Sequence, residues 1–256
     1  MNSLPPRQSD ILALARESGR VEVEDLSSNF AVTPQTIRKD LNDLCERGLL
    51  QRIHGGAVAF SGFENVGYEA RRGVAAEEKL AIGRLAASLI PNDCSLIINI
   101  GTTTEQVAYA LTGHHELRVI TNNTNVANIL RRAPGIEVLI AGGLVRSSDG
   151  GIVGAATVDF VNQFKVDYAV IGVSAIDEDG ALLDYDFHEV RVAQAIIANA
   201  RHVMLVSDQM KLSRAAPFRI GDISLVTTLV TDAPLPEQLA EKCHQNGVDV
   251  KVVAKV

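Results

Sequence analysis

The chain has 256 residues, 46% of them hydrophobic, enough for one large domain or a small one plus a medium one around packed cores. No apolar run approaches the about 20 residues of a membrane span, and the opening MNSLPPRQSD has no apolar stretch like that of a signal peptide. A net charge of −7 excludes indiscriminate coating of nucleic acid, and a chain with four tyrosines and no tryptophan is a poor stacking platform for single strands.

Residues 8–18 place Ile11, Leu12, Leu14 and Ala15 at helical spacing, and Gly19 stops the run. A second short helix covers 24–30, with Leu26 and Phe30 four apart, followed by a tight turn at Ala31-Val32. Thr33 is a good N-cap and Pro34 suits the first helical position, where its missing N–H costs nothing. This third helix runs to about Arg47 on a stripe of Ile37, Leu41 and Leu44, and Gly48 ends it. LLQRIHGGAVA then alternates apolar and polar residues around Gly55-Gly56, which predicts a β-hairpin or wing. Residues 1–58 therefore read as a winged helix-turn-helix. Residues 59–74, with three glycines and no clear period, read as a linker.

From residue 75 to 256 strands alternate with helices. The strand candidates are 95–100, 117–122, 136–142, 167–173, 202–207, 224–231 and 248–254. Near-continuous apolar strands separated by helices predict an α/β domain with a mostly parallel sheet covered on both faces. Ligands of such sheets bind beyond the carboxyl ends of the strands. Three cysteines, Cys45, Cys94 and Cys243, lie far apart without metal-ligand spacing, as reduced structural thiols of a cytoplasmic protein would.

On a helical projection of the third helix, Gln35, Arg38, Lys39 and Asn42 fall opposite the apolar stripe. Amides and cations suit base edges, while Thr36, and Arg52 and His54 in the wing, suit phosphates. Asp40 and Asp43 fall on the flank and Glu46 near the far end, so the N-terminal half of the helix is the part to enter a groove. Residues 1–58 hold seven Lys/Arg against eight Asp/Glu, so affinity for DNA rests on a few placed contacts. An ordinary amphipathic helix facing water carries the same pattern. The run VTPQTIRKDLNDLCERGLLQRIHGGAV, however, resembles the helix-turn-helix signature of DeoR-type repressors. The resemblance implies that TIRKDL is the recognition helix and RIHGGA the wing, with Gln35, Thr36, Arg38 and Lys39 touching DNA.

Glycine- and hydroxyl-rich loops follow several predicted strands: Gly101-Thr102-Thr103-Thr104, Thr121-Asn122-Asn123-Thr124, Gly142-Gly143 with Arg146, and Gly172 with Ser174. The first leads into a helix over 105–111, and N–H groups at a helix start with three hydroxyls make a phosphate cradle. Ionisable residues follow: Asp177, Asp179, Asp184, Asp186, His188, Glu189, Asp208 and Lys211, the last just past a strand end where it can pair with an anion. The acidic runs also fit a solvated turn and helix N-terminal charges. No HxxxH, CxxC or repeated carboxylate spacing marks a metal site, and no cofactor motif is present.

From NIGTTT through SDQMKLSR the chain is similar to the DeoR-type C-terminal domain, whose fold is like that of ribose-5-phosphate isomerase and glucosamine-6-phosphate deaminase. The resemblance implies that residues 101–104 hold a phosphate with help from Lys211, while Asp184 and Glu189 face a polyol. AGGLVRSSDGGIVGAATVDFVNQF and AIDEDGALLDYDFHEVR look like the branch of the family that responds to glycerol 3-phosphate. One departure is Ala193-Gln194, where the family usually has Lys-Arg.

The expected function is a cytoplasmic, non-enzymatic repressor of a carbon-catabolism operon. It would bind double-stranded operator DNA as a homodimer or homotetramer and leave it when a small phosphorylated metabolite, first of all glycerol 3-phosphate, binds. An isomerase or deaminase with Glu189 as general base is the alternative, although it has no use for the N-terminal module. A ligand-free oligomerisation scaffold is a third.

Overall fold

A computed structural model describes residues 4–18, 20–47, 49–53, 55–58, 68–212 and 214–254. They divide into two units, Met1–Val74 and Ala75–Val256.

The first unit runs α1 (Pro6–Ser18), β1 (Arg20–Glu22), α2 (Val23–Asn29), α3 (Pro34–Glu46), β2 (Gln51–Ile53), β3 (Gly56–Val58) and α4 (Tyr68–Gly73). Thr33 caps α3 as expected, its hydroxyl accepting from the Thr36 N–H at 3.3 Å, with Pro34 opening the helix. Ile37, Leu41 and Leu44 are fully buried with Ile11, Ala15 and Leu26, so the apolar stripes of the three helices make one core. β2 and β3 form the antiparallel wing, turned by Gly55 at φ +80°. β1, which sequence reasoning misses, pairs with β3. Three residues are too few to show a period, and only the partner strand defines it. The last part of the stretch read as linker carries α4.

The second unit runs α5 (Ala76–Ser88), β4 (Cys94–Ile98), α6 (Thr102–Leu111), β5 (Leu117–Thr121), α7 (Thr124–Leu130), β6 (Ile136–Ile140), β7 (Leu144–Val145), β8 (Ile152–Val153) and α8 (Ala155–Val161). It continues with β9 (Val166–Ile171), β10 (Ala175–Ile176), β11 (Ala181–Asp184), α9 (Phe187–Ala198), β12 (Ala200–Val206), β13 (Phe218–Asp222), β14 (Thr228–Thr231), α10 (Glu237–Gln245) and β15 (Asp249–Val252). The seven predicted strands make one sheet, in the order β15-β14-β12-β9-β4-β5-β6, and every neighbouring pair is parallel. Alternate residues serve opposite faces: Ile97, Val203 and Leu205 join one core, while Leu96, Ile98, Met204 and Val206 join the other. That double burial is why the strands read as continuous apolar runs.

Two features depart from the expectation. The predicted strand 224–231 splits into a short 3-10 turn, Ile223–Leu225, and β14. A small antiparallel sheet, β10-β11-β13, and a hairpin, β7-β8, are added. Because all seven main strands are parallel, the loops after β4, β5, β6, β9 and β12 emerge along a single carboxyl edge.

Candidate functional site

Gln35, Arg38, Lys39 and Asn42 are exposed on α3 opposite its buried stripe, and Thr36 is half-buried beside them. The hydroxyls of Thr33 and Thr36 lie 2.9 Å apart, which steadies the start of the helix. Asp40 departs from its expected place on the flank. It is buried and accepts from Arg7 Nε at 2.6 Å and Gln8 Nε2 at 3.1 Å, with Asp43 accepting from the same Gln8 amide at 3.2 Å. These bonds fix α3 against α1 and keep two carboxylates occupied close to the cationic face. Of the wing residues, the structure describes only the backbone of Arg52, in β2, and His54 lies outside the described residues.

On the carboxyl edge of the sheet, Gly101 precedes α6 at φ +152°, a conformation that favours glycine. Thr104, fully buried, donates to the carbonyls of Asn99 and Gly101, each at 2.8 Å. Thr102 and Thr103 are buried beside it. Gly101 has no side chain to cap the helix, so the first N–H groups of α6 are left for another acceptor. Next along the edge, Asn123 and Asn125 donate their amides to Glu105 Oε1 at 3.2 and 3.0 Å. Asn125 also donates to the Asp149 carbonyl at 3.0 Å. Asn122 donates to the Ile152 carbonyl at 3.1 Å, while its buried Oδ1 has no partner among the described residues.

The β7-β8 hairpin carries Arg146 into this edge. Its guanidinium holds Asp149 at 2.7 and 3.0 Å, Glu189 at 2.7 Å and Asp186, the N-cap of α9. Ser174 donates to Asp184 at 2.9 Å, and Asp184 takes the N–H groups of Tyr185 and Asp186. Burial and the neighbouring charge of Asp184 push the Glu189 carboxyl up to about 8, against the pull of Arg146.

One chain of polar contacts thus links Glu105 to Asn125, Asp149, Arg146 and Glu189, joining three of the loops singled out in the sequence with the start of α9. Gly143, in the loop after β6, leads into that hairpin and approaches Thr157 so closely that a Cβ would lie 2.3 Å from its hydroxyl. Lys211 stands on the 3-10 turn Gln209–Lys211 after β12, two strands along the same edge from β4. Asp177 and Asp179 belong to the turn between β10 and β11, where Asp179 Oδ1 accepts from the Ala181 N–H at 2.8 Å.

Glu105, Asn125 and Asp149 are members of this network that sequence reasoning misses. An acid in the first turn of a helix reads as a dipole partner, and Asp149 gives away its role only through its spacing of three from Arg146. At the departure noted in α9, Ala193 is buried, and Gln194 donates to the Ile220 carbonyl at 3.0 Å. A lysine at 193 would bring a charge into the core between α9 and the sheet.

Two known domain families match the chain. The family described as "DeoR-like helix-turn-helix domain" matches residues 7–62, and the "DeoR C terminal sensor domain" matches residues 74–233. The chain is 49% identical to the glycerol-3-phosphate regulon repressor of Escherichia coli, over 96% of this chain and 98% of that one. It is 48% identical to the glycerol-3-phosphate regulon repressor of Haemophilus influenzae, over 89% of each. It is 39% identical to the E. coli HTH-type transcriptional repressor CsqR, over 96% and 94%. Among solved structures, ribose 5-phosphate isomerase A from Neisseria gonorrhoeae is 12% identical, covers 53% of each chain and has a TM-score of 0.40.

Proposed function

Since the chain belongs to the DeoR family of DNA-binding transcriptional repressors with a C-terminal sensor domain, we propose that it represses a carbon-catabolism operon and is released by glycerol 3-phosphate. The observation that carries the choice of effector is the 49% identity, over nearly the full length of both chains, to a repressor named for the glycerol 3-phosphate regulon. The carboxyl edge supports it chemically. The uncapped start of α6, with Thr102 and Thr103, suits a phosphate, and Asp184 and Glu189 suit the hydroxyls of a short polyol. Gln35, Thr36, Arg38, Lys39 and Asn42 contact the operator, with Arg52 and His54 adding phosphate contacts from the wing. The protein acts as a homodimer or homotetramer in the cytoplasm, since successive major grooves call for paired recognition helices.

An isomerase using Glu189 as base is the weaker reading, because Arg146 already occupies that carboxyl group at 2.7 Å and the curated relatives are repressors.

Calorimetric titration of the whole protein with glycerol 3-phosphate, glycerol and a hexose phosphate tests the choice. Saturable binding of glycerol 3-phosphate at micromolar to millimolar levels, with none of glycerol, is expected. Preference for the hexose phosphate would replace the effector and keep the repressor.

A further inference from the structure

The two outer strands of the seven-stranded sheet differ in character. β15 closes one side and carries Asp249 and Lys251, paired at 2.9 Å. Charges of that kind discourage a further strand from adding. β6 closes the other side with Ile136-Glu137-Val138-Leu139-Ile140, which has neither proline nor lysine. Its single charge, Glu137, is already met by Arg118 of β5 at 2.6 Å. Apolar exposure continues past the strand: Ile140 is 47% exposed, Leu144 70% and Val145 53%. Such a run is more than apolar residues scattered singly over a surface.

The backbone of β6 defines what fits there. The Leu117 N–H donates to the Gly135 carbonyl at 3.2 Å and the Ala141 N–H to the Thr121 carbonyl at 2.9 Å. In a parallel pair bonded this way, residues 135, 137, 139 and 141 turn their main-chain groups to β5. Val138 and Ile140 therefore turn both N–H and C=O to the open side. Ile136 turns only its C=O there, since its N–H donates to the Ala133 carbonyl at 3.4 Å. Among the described residues β6 pairs with β5 alone. A row of open main-chain groups takes another β-strand, and β6 is its own complement. In an antiparallel arrangement centred on Val138, that residue faces itself and Ile136 faces Ile140 of the second strand. Each outward N–H then meets an outward C=O, and Glu137 stands opposite Leu139. A centre at Glu137 would instead set two carboxylates face to face, which is unfavourable.

We propose that β6 pairs antiparallel with β6 of a second copy of this chain, about a two-fold axis at Val138, so that the two sheets become one. The inference rests on the reading that the repressor acts as a homodimer or homotetramer, and it names the surface that joins two copies. A two-fold axis sets the same surface against itself and is also the symmetry that paired recognition helices call for.

The test is sedimentation equilibrium of the full-length protein, comparing wild type with Ile140→Lys, and oxidative cross-linking of Val138→Cys. Wild type is expected to sediment as a dimer or tetramer. Ile140→Lys should halve that mass, because a lysine on an outer strand blocks strand addition. The side chain is nearly half exposed, so the change leaves the buried cores in place. Under mild oxidation Val138→Cys should give a covalent dimer well beyond the background of the three native cysteines, for which wild type is the control. At the axis the residue faces its own copy with Cα atoms about 5.5 Å apart, within the roughly 4.4–6.8 Å that a disulfide spans. Should Ile140→Lys not fold, the cross-link decides. An oligomer whose mass Ile140→Lys leaves unchanged overturns β6 as the interface. A Val138→Cys protein that cross-links no more than wild type overturns the pairing centred on Val138. A wild type that stays monomeric removes the reading of paired copies, and this interface with it.

Discussion

Arg146 and Glu189 concentrate the electrostatics of the sensor unit. Three carboxyl groups, of Asp149, Asp186 and Glu189, share one guanidinium, and the charge of Asp184 lies close to Glu189. Burial and that repulsion outweigh the pull of Arg146, so Glu189 keeps its proton up to about 8 rather than the usual 4.5. The folded protein then binds a proton that the unfolded chain releases, so this contribution is fully present below about 4.5 and is lost as pH rises toward 8. Thermal melts between these limits should show the midpoint of the sensor unit falling with pH, and Glu189→Gln should shallow that fall. An unchanged slope would mean that Glu189 is ionised throughout. At the other end of the chain, Arg38 is exposed on α3 opposite its buried stripe. Arg38→Ala should cost about 1–3 kcal/mol of operator binding and relax preference at one base pair, read by anisotropy against substituted operators. A uniform loss across all operators would make Arg38 a phosphate contact instead.

Among the elements, α5 and α6 depend on Gly83. A methyl group there meets the Gln106 backbone at 2.6 and 2.7 Å, and backbone in a packed helix pair yields little. Gly83→Ala should destabilise the sensor unit by about 1–3 kcal/mol in urea unfolding. Normal stability would show that the helices give way freely. How much of this was legible in the sequence varies with the element. α3 was readable nearly to the residue, since Thr33, Pro34 and the 37, 41, 44 stripe each state a local rule. The seven sheet strands were readable because burial on both faces writes itself as apolar runs. β1, β7, β8, β10, β11 and β13 were not, being two to five residues long and defined by their partners. Asp40 was misplaced because its partners, Arg7 and Gln8, come from another helix, and a helical projection shows only the helix itself.

At the scale of the whole molecule, a net charge of −7 leads us to expect that operator binding rests on a few cations of α3 and the wing. Neutralising a handful of phosphates gives a shallower salt dependence than the slope near −10 of a large basic interface, and a slope that steep would mean that much more of the chain touches DNA. We propose that one chain couples DNA binding by α3 to a phosphate-binding sensor. Fluorescence anisotropy of the labelled promoter operator at fixed salt, titrated with protein and then with glycerol 3-phosphate, tests it most directly. Specific binding that micromolar to millimolar glycerol 3-phosphate releases, and glycerol does not, is expected. Specific binding that no phosphorylated metabolite alters would contradict it.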